Sequence, residues 1–467
     1  MSAAEKFSPA EVRRGLKCLL YDGGLFSTMS SLCGGLFVTA YALVLGASDF
    51  WIGILAALPM LADAAQPVGA WVLERFGDRR RFSLIMFACG RSLWVIVVLL
   101  PFLGYHGGKS ETILYVLLSV TTLSAVLGAF GMVSQISLMA DIVPADRRGR
   151  YFGARATIGT AASSLVALGG GRFLDWWKNI HGPNDPHGFT IVYALGLVAG
   201  LLSVAMIARL PQPEASTDKP APYREVLQAM LKHRHFCNLI AYRTLLAFSV
   251  AFAGPFFAVY MLKILHMSYA LVSTYQVVTS LCMVMAMRPW GRLSDHFGNR
   301  PVIIGTTFGA AIIPLIWLLT ASGNRWVILV VFVVSGISWA GLMLSTFNLL
   351  LKITPDEQRS IYIGIFNATV GLSWAAGAAA GGWVSQSLEH FRWQIGGAVF
   401  INFHVLMLFS GLGRLASIVL IRRVAEPQAA RVTRMMRVLW RTRAVNPLRA
   451  AQYYWYVLQN WRSDRGP

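Results

Sequence analysis

Three ionisable residues stand where charge is costly. Asp22, Asp63 and Arg91 fall inside or at the start of otherwise apolar stretches, and a charge in hydrocarbon costs about 2.5 to 3.5 kcal/mol on insertion scales. A lone buried carboxyl keeps its proton, whereas one beside a guanidinium gives it up. A carboxylate that passes between those two surroundings can couple proton binding to another event. Asp63 lies fifteen residues before Asp78 and Arg91 thirteen after it. Two antiparallel helices joined near Asp78 would therefore hold the two at similar depth, either as a coupling pair or as an ion pair that locks the helices. Asp22 and Arg243 lie near the ends of their stretches, where a side chain can snorkel to water.

Those residues need helices to position them, and the composition supplies helices of one kind. Of 467 residues, 56% are apolar and 13% charged, against about a quarter charged in an average soluble domain. The apolar residues come in blocks of about twenty, the length that crosses about 30 Å of hydrocarbon. The blocks run over 22–46, 50–73, 82–104, 112–141, 150–174 and 189–209, then 237–263, 269–290, 301–321, 326–351, 360–386 and 395–421. Between the sets, 210–236 contains PQPEASTDKPAP, which cannot cross a bilayer. The expected architecture is an all-α integral membrane protein of twelve transmembrane helices in two six-helix bundles, 22–209 and 237–421. They are flanked by a segment 1–21, a linker 210–236 and a basic tail 422–467.

A net charge of +20 would suit a nucleic-acid binder, but its placement argues otherwise. Lys6, Arg13, Arg14 and Lys17 precede the first block; Arg75, Arg79, Arg80 and Arg81 follow the second; Arg147, Arg148 and Arg150 follow the fourth. The alternate loops hold about one basic residue each. That asymmetry puts both termini on the cytoplasmic side of a plasma (inner) membrane. The first twenty residues carry charges where a cleavable signal needs its apolar region, so the N-terminus is expected to be retained. Five scattered cysteines without CxxC spacing imply neither a disulfide framework nor a metal site. Met283, Met285 and Met287 point to different helix faces and read as gap fillers rather than soft-metal ligands. His404 reads as a hydrogen-bonded core histidine. No cofactor is expected, and no nucleophile–base pair or phosphate loop argues for an enzyme.

The halves repeat each other. Pro144, Arg148, Tyr151, Gly153 and Gly170-Gly171 recur as Pro355, Arg359, Tyr362, Gly364 and Gly381-Gly382, at a constant offset of 211. Chance hydrophobicity does not copy loop motifs. Asp63 and Arg91 have no charged counterparts in blocks 8 and 9, which places coupling in the first half.

Between blocks 8 and 9 stands Gly291-Arg292-Leu293-Ser294-Asp295-His296-Phe297-Gly298-Asn299-Arg300. This resembles the signature of the major facilitator superfamily, G-x-L-a-D-r-x-G-r-r. Between blocks 2 and 3 the equivalent reads Gly69-Ala70-Trp71-Val72-Leu73-Glu74-Arg75-Phe76-Gly77-Asp78-Arg79-Arg80, with Glu74 for Asp and Asp78 where Arg is usual. Gly77 and Gly298 permit the positive φ of a sharp turn. The resemblance implies that the acid docks on a helix N-terminus of the opposite half, worth about 0.3 to 1 kcal/mol: Glu74 near Arg359, Asp295 near Arg148. It also implies that blocks 1, 4, 7 and 10 line a cavity, with Tyr41, Gln135, Tyr242, Arg243, Trp339 and Asn348 as candidate contacts.

Other features refine what the resemblance implies. DAAQPVGAWVLE around Pro67 is similar to the cation-site region of melibiose-type symporters, but Gln66 stands where a second acid is expected there, so protons rather than sodium are the expected coupling ion, in symport. The drug–proton antiporter signature of block 5 lacks its proline here, and Gln135 stands in block 4 without that group's arginine. The tail's arginines and its Val432, Met435, Met436 and Leu439 at helical spacing suit a helix on anionic lipid. The expected function is a monomeric secondary active transporter that moves a small solute by alternating access. The alternatives are a non-transporting sensor with the same fold and a lipid or lysolipid flippase.

Overall fold

The computed structural model describes residues 7–102, 111–144, 148–211, 232–322, 326–355, 359–395, 398–426, 429–430, 433 and 435. The linker and most of the tail lie outside these.

The first span is α1 (Pro9–Leu32) continued by α2 (Gly35–Val44). It starts earlier than the apolar block does because Ser8 and Glu11 form a capping box with Pro9 at the first turn. It breaks at Gly34, and Gly35 takes φ +47°. The second span is α3 (Asp49–Ala64) and α4 (Gln66–Phe76), bent by 42° at Ala65. Pro67 removes the N–H that would continue the ladder. The third is α5 (Arg79–Ser92) with α6 (Trp94–Leu99), then α7 (Glu111–Ile142), α8 (Arg148–His181) and α9 (His187–Ala208). The second half follows as α10 (Arg234–Val259), α11 (Tyr269–Phe297), α12 (Asn299–Trp317), α13 (Trp326–Ile353), α14 (Arg359–Ser387) and α15 (Asn402–Ile421).

Among the described residues, ten helices are long and apolar enough to cross a membrane, eleven with the bent α3–α4 pair. The expected count was twelve. The difference is α8: its 34 residues suffice in length, but Gly, Ala, Ser and Thr dominate it and it carries Arg155 and Arg172. A second difference lies before α15. The apolar block was expected to be helical from 395, but Arg392–Ile395 (β1) and Ala398–Ile401 (β2) pair antiparallel, Ile395 opposite Ala398. Trp, Val, Phe and Ile favour strands.

The first and larger apolar core runs across both halves: Tyr41, Phe37, Trp94, Phe189 and Tyr193 interlock, and the same cluster continues into Phe256, Tyr260, Trp317 and Phe403. A second core, of Phe236, Tyr242, Leu246 and Tyr362, lies within the second half. The halves meet along α3 against α14 and α8 against α11. At the first contact the backbones touch: a Cβ on Gly53 would lie 2.6 Å from the Ala378 carbonyl oxygen, and one on Gly382 3.0 Å from that of Asp49. Small residues allow such approach.

Candidate transport cavity and its polar network

The bundle has a near end, carrying Pro9, the two signature turns and Ile421, and a far end on the other side. The far end joins the halves by hydrogen bonds. The Asp175 carboxylate of α8 accepts the N–H groups of Tyr269 (2.9 Å) and Ala270 (2.8 Å) at the start of α11. Asp49, at the start of α3, accepts from Ser385 Oγ (2.7 Å) of α14 and Asn402 Nδ2 (3.3 Å) of α15. Both acids sit at helix N-termini, where backbone donors and the helix dipole favour negative charge.

At the near end the turns form as their glycines require, Gly77 at φ +76° and Gly298 at φ +90°. Glu74 and Asp295 are both exposed and make no hydrogen bond to a described residue of the other half. The segments just before the helices on which they were expected to dock, 145–147 and 356–358, and the side chains of Arg148 and Arg359 lie outside the described residues. The neighbouring residues work within their own half. Arg75 stacks on Trp71 at 3.7 Å. Arg79 pairs with Asp141 at 3.1 Å, and Arg80 Nη1 donates to the Leu210 carbonyl at 3.0 Å. Asp78, which departs from the signature, caps α5 by accepting the Arg81 N–H at 2.9 Å. A Cβ on Gly69 would lie 2.8 Å from the Phe130 ring, and one on Gly291 3.6 Å from Leu344 Cδ2.

The second signature turn is braced by a residue the sequence reading did not single out. Glu426, past the end of α15, is buried and accepts from Asn299 N (3.2 Å), Asn299 Nδ2 (3.1 Å), Arg300 N (2.8 Å) and Lys352 Nζ (3.2 Å). Burial opposes its charge, but these four donors outweigh that and hold its carboxyl below the usual range. Ala430 N donates to the Phe297 carbonyl, and Met435 is buried against Phe297 and Val302. The described part of the tail thus docks on protein.

Between the halves lies a cavity of about 840 Å³. α1, α2, α3, α5, α6, α7, α10, α11 and α14 contribute to its wall. The breaks at Gly34 and near Asp63 open onto it, as discontinuous helices do at transporter binding sites. The wall is mostly aromatic and aliphatic, with Asp63, Arg91, Ser124 and Gln276 among its polar groups.

Asp63 and Arg91 both line the cavity, but the expected ion pair does not form. Asp63 is exposed, and its carboxylate accepts from Gln66 Nε2 at 3.1 Å, one turn on. Arg91 is turned away and buried. Its Nη1 donates to the Gly200 carbonyl of α9 at 2.8 Å, its guanidinium lies over Phe87, and the acid whose charge it feels is Asp22. The second half has an equivalent in Arg414 of α15, whose Nη1 donates to the Ala310 carbonyl of α12 at 2.8 Å. Arg414 stands in block 12, not in block 8 or 9, so the charged counterpart is on a different helix from the one the repeat would give.

Asp22 does not reach water as expected. It is 1% exposed and accepts from Gln135 Nε2 (2.7 Å), Arg155 Nη2 (3.0 Å) and Ser203 Oγ (2.5 Å). Four helices, α1, α7, α8 and α9, thus converge on one carboxylate. Arg155 was not singled out from the sequence, although an arginine seven residues past Arg148 in a membrane helix was a visible signal.

None of the other cavity candidates lines the cavity. Tyr41 is fully buried in the first core, and Tyr242 bonds Thr307 at 2.6 Å within the second. Gln135 serves Asp22. Trp339 packs on the second core, and Asn348 and Arg243 are half-buried. His404 is a core histidine, between Tyr260 OH (3.2 Å) and the Ile401 N–H (3.0 Å).

Comparison with known proteins adds the family. The model of the Major Facilitator Superfamily matches residues 23–254 and 239–461. The tetracycline resistance protein, class C, of Escherichia coli is 31% identical over 120 residues, which cover 24% of this chain and 26% of that protein. The chain therefore matches about a quarter of that relative's length. An uncharacterized MFS-type transporter of Methanocaldococcus jannaschii is 21% identical over 353 residues, 74% of this chain and 85% of that one. The crystal structure of a mutant of the nucleoside transporter NupG superposes with a TM-score of 0.66 at 13% identity, covering 88% of this chain and all of that one. That likeness is one of fold.

Proposed function

We propose that this chain, which belongs to the Major Facilitator Superfamily, is a proton-coupled secondary transporter that carries a small solute across a plasma (inner) membrane by alternating access. The family and its relatives are those of transporters, not enzymes. The observation that carries the reading is the asymmetry of the inter-half contacts. The halves are stitched at the far end by Asp175 and Asp49, while Glu74 and Asp295 stand exposed at the near end with the cavity between. With both termini cytoplasmic, as the loop charges favour, this is an inward-facing state. Docking of Glu74 and Asp295 onto α14 and α8 would then close the near end as the far end opens.

Asp22 is the coupling acid in this reading. Its charge is balanced by Arg155 and felt by Arg91. A proton on Asp22 would cancel that balance and loosen four helices at once, which links protonation to the shape of the first half. Asp63 is the acid that meets the solute. The carrier acts as a monomer, and the tail beyond residue 435 is assigned to anionic lipid. The partial match to a tetracycline resistance protein makes tetracycline the first solute to screen.

The test is counterflow in proteoliposomes. Preloaded unlabelled solute should drive uptake of its labelled form, and an imposed pH gradient should drive net uptake that Asp22→Asn combined with Arg155→Gln, which removes both charges of the pair, abolishes while counterflow survives. Binding without any counterflow would instead favour the sensor.

A further inference from the structure

We propose that the cavity selects lipophilic cations, solutes with an apolar, ring-sized body and one positive charge of the ammonium or phosphonium class, and that Asp63 holds the charge. The inference rests on the cavity being the solute's binding site. The walls suit the body: Phe26, Phe87, Trp94, Trp374, Met60 and Met132 face the space, and aromatic faces attract cations by about 0.5 to 2 kcal/mol. A volume of about 840 Å³ is that of a drug-sized pocket.

The sign of the charge follows from which ionisable group is free to meet it. Among the described residues, two charged side chains line the cavity. Arg91 is 4% exposed, donates to the Gly200 carbonyl and lies over the Phe87 ring, so its guanidinium is engaged by the wall rather than open to a solute. Asp63 is exposed, holds only the neutral amide of Gln66 and has no ion pair among the described residues. A carboxylate without an ion pair thus stands on the wall of an apolar cavity, and an anion would meet it with the wrong sign.

The experiment uses two ions of one shape and opposite charge. The purified full-length chain in nanodiscs is titrated with tetraphenylphosphonium and with tetraphenylborate, empty nanodiscs being subtracted. The phosphonium should bind at least tenfold more tightly. Asp63→Asn should remove that preference, and Asp63→Glu should keep it. Equal or tighter binding of the borate, no binding of either ion, or a preference unchanged in a folded Asp63→Asn protein would each overturn the proposal. The ion comparison on the unmutated chain needs no variant to fold. Counterflow of a neutral or anionic solute would overturn the charge class while leaving the carrier reading in place, so the two failures are distinguishable.

Discussion

Arg155 Nη2 lies 3.0 Å from Asp22 Oδ2, an ion pair that ties the first span to the fifth with only 1% of the Asp22 side chain exposed. Removing one partner of a buried pair leaves an uncompensated charge. Arg155→Ala should therefore destabilise the protein by about 3 to 5 kcal/mol, and Asp22→Asn with Arg155→Gln should recover most of it. Unfolding of the detergent-solubilised variants measures this. A double variant no more stable than Arg155→Ala would show that the pair is not what matters.

The Asp175 carboxylate holds the start of α11 across the interface through two backbone N–H groups. Asp175→Asn keeps the shape and loses the charge, which costs about 0.5 to 2 kcal/mol at a helix cap. Cysteine placed at Ser273, fully buried beside that contact, should then react several-fold faster with an impermeant maleimide added from the far side. The experiment needs a background free of the five native cysteines.

Gly53 and Gly382 face each other where α3 crosses α14. Gly382→Val places its Cβ at about contact with the Asp49 carbonyl and the Gly53 backbone, with two methyl groups beyond it. The helices must part, at about 1 to 3 kcal/mol for overpacking. The far-end seal should weaken, seen as increased labelling at Ser273Cys. Gly182→Ala, on an open loop with nothing near its Cβ position, strains φ +97° but leaves the seal intact and serves as the control.

Glu426 has its carboxyl held below the ordinary value of 4.5 by its donors in spite of burial. A depressed acid stabilises the fold above its unfolded pKa and loses that contribution as pH falls through the folded one. The difference in melting temperature between the unmutated chain and Glu426→Gln should thus be constant above about pH 5 and shrink below it. A difference that grows on acidification would contradict the sign of the shift.

How much of this was legible in the chain divides along a physical line. Apolar blocks set where helices form, since about twenty apolar residues and the caps at Ser8, Asp78 and Ser268 act locally. The constant offset of 211 showed two related halves, and glycine at the turns showed where φ must be positive. The exceptions were also local: α8 is too rich in small residues to count by hydropathy, and Arg392–Ile401 folds as a hairpin although its composition is apolar. Partners were a different matter. Depth along a helix follows from residue number at 1.5 Å per residue, which is why Asp63 and Arg91 were expected at similar depth; both line the cavity. Azimuth does not follow, because each residue turns the helix by about 100° and only packing fixes which face looks inward. That rotation sends Arg91 to Gly200 rather than Asp63. It also gathers Gln135, Arg155 and Ser203 on Asp22 from 113 to 181 residues away. Sequence determined the helices and their duplication; tertiary packing decided which charges meet, because rotation about the helix axis has no local cause.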